Sequence, residues 1–382
     1  MKKILINAIA IKEGGGAVVF FKTFNEMSRL SENIHWTIII DERLREKIKT
    51  NNNITILVYP WIKKSSVHLL YWNELILPKL IKRMKIDLFY SVINTLPLRR
   101  LACTEVLCIL QAGYFSEEFT ALNRHYNGSI KSKIGWWVRR QWTLLSLKKA
   151  EKIISPTKSL SEVITKQLSL PPKKIQVVLP GSGLALGYSA QKRSYPKSSW
   201  RIGYITKYGV QKNFYVLFKA AQALKKNGVH FKLVLTLNES HAQFDIVRQL
   251  IDSCELHSVI ENHGEIADGE IQALYNTLDL FIFPSLCESI GFSLLEAMHY
   301  GLPVIASDIA SNRELLGDNG IFFQRHHSHE LKEKMLLLIE NEKYYSEMSV
   351  FSIQQSQKYC WSQSAKETIK ILSDAAGRCA GC

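Results

Sequence analysis

Short apolar runs alternate with helix-patterned stretches along almost the whole chain, and few folds accept that rhythm. A run of four or five mostly apolar residues bounded by turns reads as a strand buried on both faces. The amphipathic stretch after it supplies the crossover to a parallel neighbour. In the first half such runs lie at Ile4–Ala8, Trp36–Ile40, Ile54–Val58, Leu88–Val92, Val106–Leu110 and Lys152–Ser155. Helical patterning covers Val18–Leu30, Tyr71–Lys85, Lys133–Lys149 and Ser159–Gln167. The stretch 179–200, LPGSGLALGYSAQKRSYPKSSW, is rich in Gly, Ser and Pro and lacks periodicity. A second alternation opens at Arg201–Ile205 and continues through Lys232–Thr236, Val259–His263, Leu280–Phe283, Val304–Ala306 and Ile321–Phe323. The pattern predicts an α/β protein of two doubly wound, Rossmann-like domains, residues 1–180 and 200–358, joined by a linker at 181–199. Residues 359–382 add a helix over Trp361–Asp374 and a tail. Two such domains on one linker face each other across a cleft at the carboxyl ends of their strands.

A length of 382 residues suits two such domains. The net charge of +15 is uneven: residues 1–180 hold 29 Lys and Arg against 13 Asp and Glu, and the remainder 20 against 21. A one-signed field in the first half points to an anionic partner such as acidic lipid, a diphosphate-linked acceptor or nucleic acid. No run reaches the roughly 18 apolar residues of a membrane span. Lys2 and Lys3 before ILINAIAI imitate a leader, but Gly14–Gly16 follow at once, so the run reads as a first buried strand. Seven scattered cysteines suit a reducing cytoplasm, and Cys379 and Cys382 read as part of a frayed tail. Arg325, His326, His327 and His329 lack partners at metal-ligand spacing and read as a polar loop.

The most specific chemistry lies in residues 284–303, PSLCESIGFSLLEAMHYGLP. The strand Leu280–Phe283 ends at Pro284, and a helix over Ser293–Tyr300 stops at Gly301 and Pro303. Glu288 therefore falls in a strand-to-helix loop and Glu296 about one turn inside the helix. The helix start offers unpaired N–H groups and a positive dipole end. An anion site beside a carboxylate that accepts from sugar hydroxyls suits a ribose diphosphate.

The segment ESIGFSLLE, an E-x7-E pattern, is followed by AMHYGLPVIAS and preceded by GEI and ALYNTLDLFIFPS. VIASDIASNRELLG and GIFF come after it, in the order used by the family-4 retaining glycosyltransferases of the GT-B fold. The chain resembles that family strongly from Gly264 to Phe323 and loosely in its first half. The resemblance implies that Glu296 bonds the ribose hydroxyls and that the backbone near Ile266 meets the nucleobase. It also implies that Glu288, with Ser289, Ile290, Gly291 and Phe292, holds the donor sugar. In GYITKYGVQKN, Lys207 and Lys212 stand where the family places two cations, and they would stabilise the leaving diphosphate. Asn213 reads as the side-chain cap of the next helix. The resemblance also puts Gly15 and Gly16, after the first strand, beside the donor phosphates, where glycines let backbone approach closely. Many relatives carry a histidine after the fifth strand; here Gln111 stands there, able to hydrogen-bond but not to act as an acid or base near neutrality. Asp268 reads as the cap of a helix through Tyr275, and no Asp-x-Asp motif is present, so the expected reaction uses no metal and no cofactor.

Lys131, Lys133, Trp136, Trp137, Arg139, Arg140, Trp142, Lys148 and Lys149 interleave cations with tryptophans. Such a helix suits either a membrane surface or a core-facing aromatic stripe with a solvated basic back. No nucleic-acid-binding module is visible. The sequence thus predicts a cytoplasmic enzyme peripheral to the inner face of the plasma membrane. It would be a retaining hexosyltransferase passing sugar from a nucleotide donor to a glycan or lipid-linked acceptor of surface polysaccharide, O-antigen or capsule. Two rivals share some of these features. One is a binding protein of the same fold without turnover. The other is a nicotinamide-dependent dehydrogenase, although Gly14–Gly16 lack the G-x-G-x-x-G spacing.

Overall fold

The computed structural model describes residues 1–11, 15–126, 129–182, 192–196, 198–267 and 269–377, with backbone alone at residue 63. Gly14, Asp268, Cys379, Cys382 and most of the 181–199 linker lie outside the described residues. The chain divides into two compact units.

The first unit is built on seven parallel strands: β1 (Lys2–Asn7), β2 (Ile34–Ile40), β3 (Ile54–Val58), β4 (Leu88–Ser91), β5 (Thr104–Cys108), β6 (Lys152–Ser155) and β7 (Ile175–Val177). They lie in the order β3-β2-β1-β4-β5-β6-β7. Helices cover both faces, which is why Ile4–Ile6 and Ile38–Ile40 are buried without a break. The Gly15–Leu30 helix sets Phe20, Phe24 and Met27 into the core at helical spacing, with Phe24 edge-on to Trp36 at 5.8 Å. The Trp361–Ala376 helix belongs to this unit and adds Ala365, Leu372 and Ala375 to the same core. β7 was not anticipated: its three residues follow two prolines and two lysines and carry almost no alternation.

The second unit holds six parallel strands: β8 (Trp200–Tyr204), β9 (Phe231–Leu235), β10 (Ile260–Asn262), β11 (Leu280–Phe283), β12 (Val304–Ser307) and β13 (Ile321–Phe323). Their order is β10-β9-β8-β11-β12-β13. Crossovers from β8 run one way and those from β11 the other, so the direction of winding reverses between these neighbours. Ligands of doubly wound sheets bind beyond the carboxyl ends of strands at such a point. Ser116–Tyr126, inside the stretch 1–180, belongs to this unit and not to the first. Its anchor is Glu118, which meets Arg325 and His326 at 2.8 Å each, giving the polar loop a structural partner.

The basic-aromatic helix spans Ile130–Lys149 in the first unit and matches neither alternative cleanly. Trp142 donates its indole N–H to the Leu96 carbonyl, and Trp136 packs on Tyr114 with ring centroids 4.6 Å apart. Lys149 is nearly buried against Glu105 at 2.6 Å. The outward face is mixed: Ile130, Ile134, Trp137, Val138 and Leu145 are exposed beside Lys131, Lys133, Arg139 and Lys148.

Candidate active site

Lys212 and Glu288 stand on the loops after β8 and β11, the two strands that flank the reversal of winding. The Lys212 ammonium meets Glu288 Oε1 at 2.6 Å, and the two side chains keep only 15% and 12% of their exposure. Burial works against the Lys212 charge. The neighbouring Glu288 and Tyr204 more than offset it, so the lysine pKa lies above its ordinary value. A buried cation with one carboxylate partner is charged at neutral pH and keeps further N–H donors for an anion.

Several bonds fix this loop pair. The Tyr204 hydroxyl donates to the Lys212 carbonyl at 3.0 Å and lies 3.3 Å from Ser285 Oγ. Burial pushes the Tyr204 phenol up to about 12, so it remains a donor. Leu286 N–H bonds the Gln211 carbonyl at 2.8 Å. Ser307 donates to the Ser285 carbonyl, and Asn312 Nδ2 donates to Ser307 at 3.0 Å. All three polar residues are buried. Asn213 does not cap its helix with its side chain, contrary to expectation. It sits in the left-handed region at φ 52° and sends Nδ2 to the carbonyls of Pro284 (3.2 Å) and Arg325 (2.7 Å), bridging the loops after β11 and β13. Asparagine tolerates this conformation better than most residues.

The Phe292–His299 helix follows. A Cβ on Gly291 would lie 2.8 Å from the Phe283 ring, whose face also lies 5.7 Å from the Lys212 ammonium. Glycine is therefore required here by close approach. Among the described residues the Ile290 and Gly291 amides donate to no acceptor. Glu296 is buried in this helix, and the Tyr275 hydroxyl donates to its Oε2 at 2.8 Å. Burial, reinforced by the Glu296 charge, raises the Tyr275 pKa well above the ordinary phenol value, so the bond has a fixed polarity. The Ile271–Thr277 helix that carries Tyr275 begins after Glu270, without a side-chain cap.

Beyond β8, β9 and β10 opens a cavity of about 410 Å³ lined by Thr206, Lys207, Tyr208, Asn238, Glu265 and Ile266 among others. Tyr208 and His241 stack across it at 5.4 Å. Lys207 pairs with Glu265, and both are well exposed. The Lys207 hydrogen bond holds the Glu265 carboxyl below the usual carboxylate range. The second unit thus carries Lys207, Lys212, Ile266, Glu288, Ser289, Ile290, Gly291, Phe292 and Glu296 on the loops that follow β8, β10 and β11 and on the helix after β11. Gly15, Gly16 and Gln111 lie in the first unit. Gly15 opens the first helix; among the described residues a Cβ on Gly16 would meet Leu110 at 3.9 Å, an ordinary contact. Gln111 Oε1 accepts from Gly113 N–H at 3.3 Å, closing the turn after β5.

Residues 189–355 match the family of glycosyl transferases group 1. The serotype-specific mannosyltransferase WbdA of Escherichia coli is 30% identical over 141 residues, which is 37% of this chain and 17% of that protein. The O-antigen chain mannosyltransferase B of the same organism is 25% identical over 125 residues, 33% of each chain. The matches therefore span about a sixth to a third of these relatives' length. In three dimensions the chain is similar to a glycosyltransferase from Rickettsia africae ESF-5, with a TM-score of 0.70 at 16% identity, covering 98% of both chains. It is equally similar to Anabaena Alr3699/HepE in complex with UDP and glucose, with a TM-score of 0.70 at 17% identity over 98% of this chain and 100% of that one. The two parallel sheets are those of the GT-B fold.

Tyr275, Ser285, Ser307, Asn312 and Glu118 went unread in the sequence. They are single polar residues inside apolar runs or ordinary helices, and only folding assembles them. A weak signal existed for Ser285 and Ser307, hydroxyls two residues past the apolar strand β11 and at the carboxyl end of β12.

Proposed function

We propose that this chain is a retaining hexosyltransferase that moves a sugar from a nucleoside diphosphate to a glycan acceptor of surface-polysaccharide assembly. The observation that carries the reading is the buried Lys212–Glu288 pair at the point of reversed winding, beside the Ile290 and Gly291 amides, which have no acceptor among the described residues. The names of the mannosyltransferase relatives and the UDP and glucose in the Anabaena complex support it.

In this reading the nucleoside enters the cavity beside Ile266, and Glu296, oriented by Tyr275, accepts from the ribose hydroxyls. The diphosphate meets Lys207, Lys212 and the start of the Phe292–His299 helix, where positive charge and backbone donors coincide. Glu288, with Ser289 and Phe292 beside it, holds hydroxyls of the transferred sugar. The anomeric C–O bond breaks as charge builds on the diphosphate, which these cations stabilise. The acceptor oxygen bonds to the anomeric carbon on the same face, and its proton passes to the departing phosphate oxygen. Lysines and amides carry the phosphate charge, so turnover should persist in EDTA.

The acceptor is lipid-linked in this reading, and the first unit sits on an anionic membrane. The exposed face of the Ile130–Lys149 helix offers Ile134, Trp137 and Val138 with Lys131 and Lys133 beside them, an apolar stripe edged by cations. Among the described residues no helix is long and apolar enough to cross a membrane.

The test is a thermal-shift panel of UDP, GDP, ADP, CMP, dTDP and NAD. A ligand at about 100 times its Kd adds roughly 2.7 kcal/mol. A response to one nucleoside diphosphate is expected, followed by transfer from its sugar with retained anomeric configuration. A response to NAD alone would end the proposal.

A further inference from the structure

Arg193 precedes β8 in a Gly-, Ser- and Pro-rich stretch that reads as plain linker. In the structure its guanidinium is held at all three nitrogens within the second unit. Its Nε donates to the Tyr300 carbonyl at 2.9 Å, Nη1 to the Asn276 carbonyl at 2.8 Å and Nη2 to the Tyr275 carbonyl at 2.8 Å. Its backbone N–H donates to Ser349 Oγ at 2.9 Å, and that hydroxyl donates on to the Gly301 carbonyl at 2.7 Å. Tyr275 and Asn276 form the last turn of the Ile271–Thr277 helix, and Tyr300 is the residue that ends the Phe292–His299 helix. One planar cation thus closes two helix carboxyl ends together, where exposed carbonyls and the dipole both favour positive charge.

The same two helices carry Tyr275 and Glu296, joined by the 2.8 Å hydroxyl–carboxylate bond. The rings of Tyr275 and Tyr300 stack at 5.0 Å and 4°. Arg193, Tyr300, Tyr275 and Glu296 therefore form one connected set in which the spacing of the helix ends decides where the carboxylate points. We infer that Arg193 is a positioning residue for Glu296, acting through the Tyr275–Glu296 bond to set recognition of the ribose. The inference rests on the proposed role of Glu296 and names a second residue on which that role depends.

The test compares UDP and GDP with their 2′,3′-dideoxy forms by calorimetry, on wild type, Arg193→Gln, Arg193→Lys and Glu296→Gln, with melting temperatures recorded alongside. A hydrogen bond to a charged group makes the wild type prefer the ribo form by about tenfold or more. Arg193→Gln should reduce that ratio to below about threefold while the dideoxy form binds as before. Arg193→Lys keeps the charge but cannot span three carbonyls, so its ratio should fall between. A purely structural role would lower the melting temperature and leave the ratio intact, and that result would overturn the inference. A full ratio in Arg193→Lys would do the same should the glutamine variant fail to fold. A wild-type ratio near one, or an unchanged ratio in Glu296→Gln, would instead remove the ribose role of Glu296 and this assignment with it.

Discussion

Replacing Lys212 by methionine isolates the energetics of the central ion pair. The substitution keeps the length and most of the volume of the side chain but leaves Glu288 ionised, 12% exposed and without its cation. At 2.6 Å the pair's gross attraction is about 6 kcal/mol for an effective dielectric of 20, and desolvation of both groups consumes much of it. Removing one partner of a buried pair typically costs about 3–5 kcal/mol because the other is stranded. For a unit of this size that corresponds to a fall of roughly 6–20 °C in melting temperature. Removing both charges in Lys212→Met/Glu288→Gln should recover most of the loss. Thermal melts of the two single variants and the double measure both the cost and its recovery. A cost below about 1 kcal/mol, or a double variant no better than the single, would mean that the pair is solvated like a surface bridge.

Other outcomes follow from the same geometry. Asn213→Gly retains the left-handed backbone and loses two bonds, so it should cost about 1–2 kcal/mol in urea unfolding; Asn213→Ala should cost about 1 kcal/mol more. Gly291→Ala drives a methyl into Phe283 and should shift the helix start, lowering nucleoside diphosphate affinity about tenfold or more in calorimetry. Trp137→Asp with Ile134→Asp should abolish sedimentation with vesicles of anionic lipid while nucleotide binding is unchanged; Lys131→Glu with Lys133→Glu should weaken it most at low salt. The bonds from Arg201, and secondarily from His263, hold Glu261 below the ordinary carboxylate value. Its contribution to stability should be present above the unfolded pKa of 4.5 and fade as pH drops through the folded one, a fade that Glu261→Gln removes.

The order of strands was legible because parallel sheets covered on both faces demand apolar runs such as Trp36–Ile40 and Leu280–Phe283, which leave little room for another reading. β7 escaped because three residues carry no period. At the site, Lys212, Glu288 and Glu296 could be found because their spacing is tied to one loop and one helix. Asn213 was misjudged because its usual role, a local cap, lost to two distant carbonyls that no sequence window contains. Arg193 was hidden by its composition: a linker full of Gly, Ser and Pro reads as a tether, yet one of its side chains closes two helices. Ser116–Tyr126 follows from neither pattern nor spacing, since its place depends on Glu118 finding Arg325 some 200 residues downstream.

The helix Trp361–Ala376 completes the core of the first unit, although it is made after nearly all of the second. While a ribosome adds the intervening residues, about 180 of them at roughly 5–20 per second, the apolar groove beside Phe20 and Met27 waits some 10–35 s without its cover. The nascent first half must therefore be shielded or remain loose during that interval. A stop codon just before Trp361 would spare every proposed donor-site residue and still yield an aggregating product.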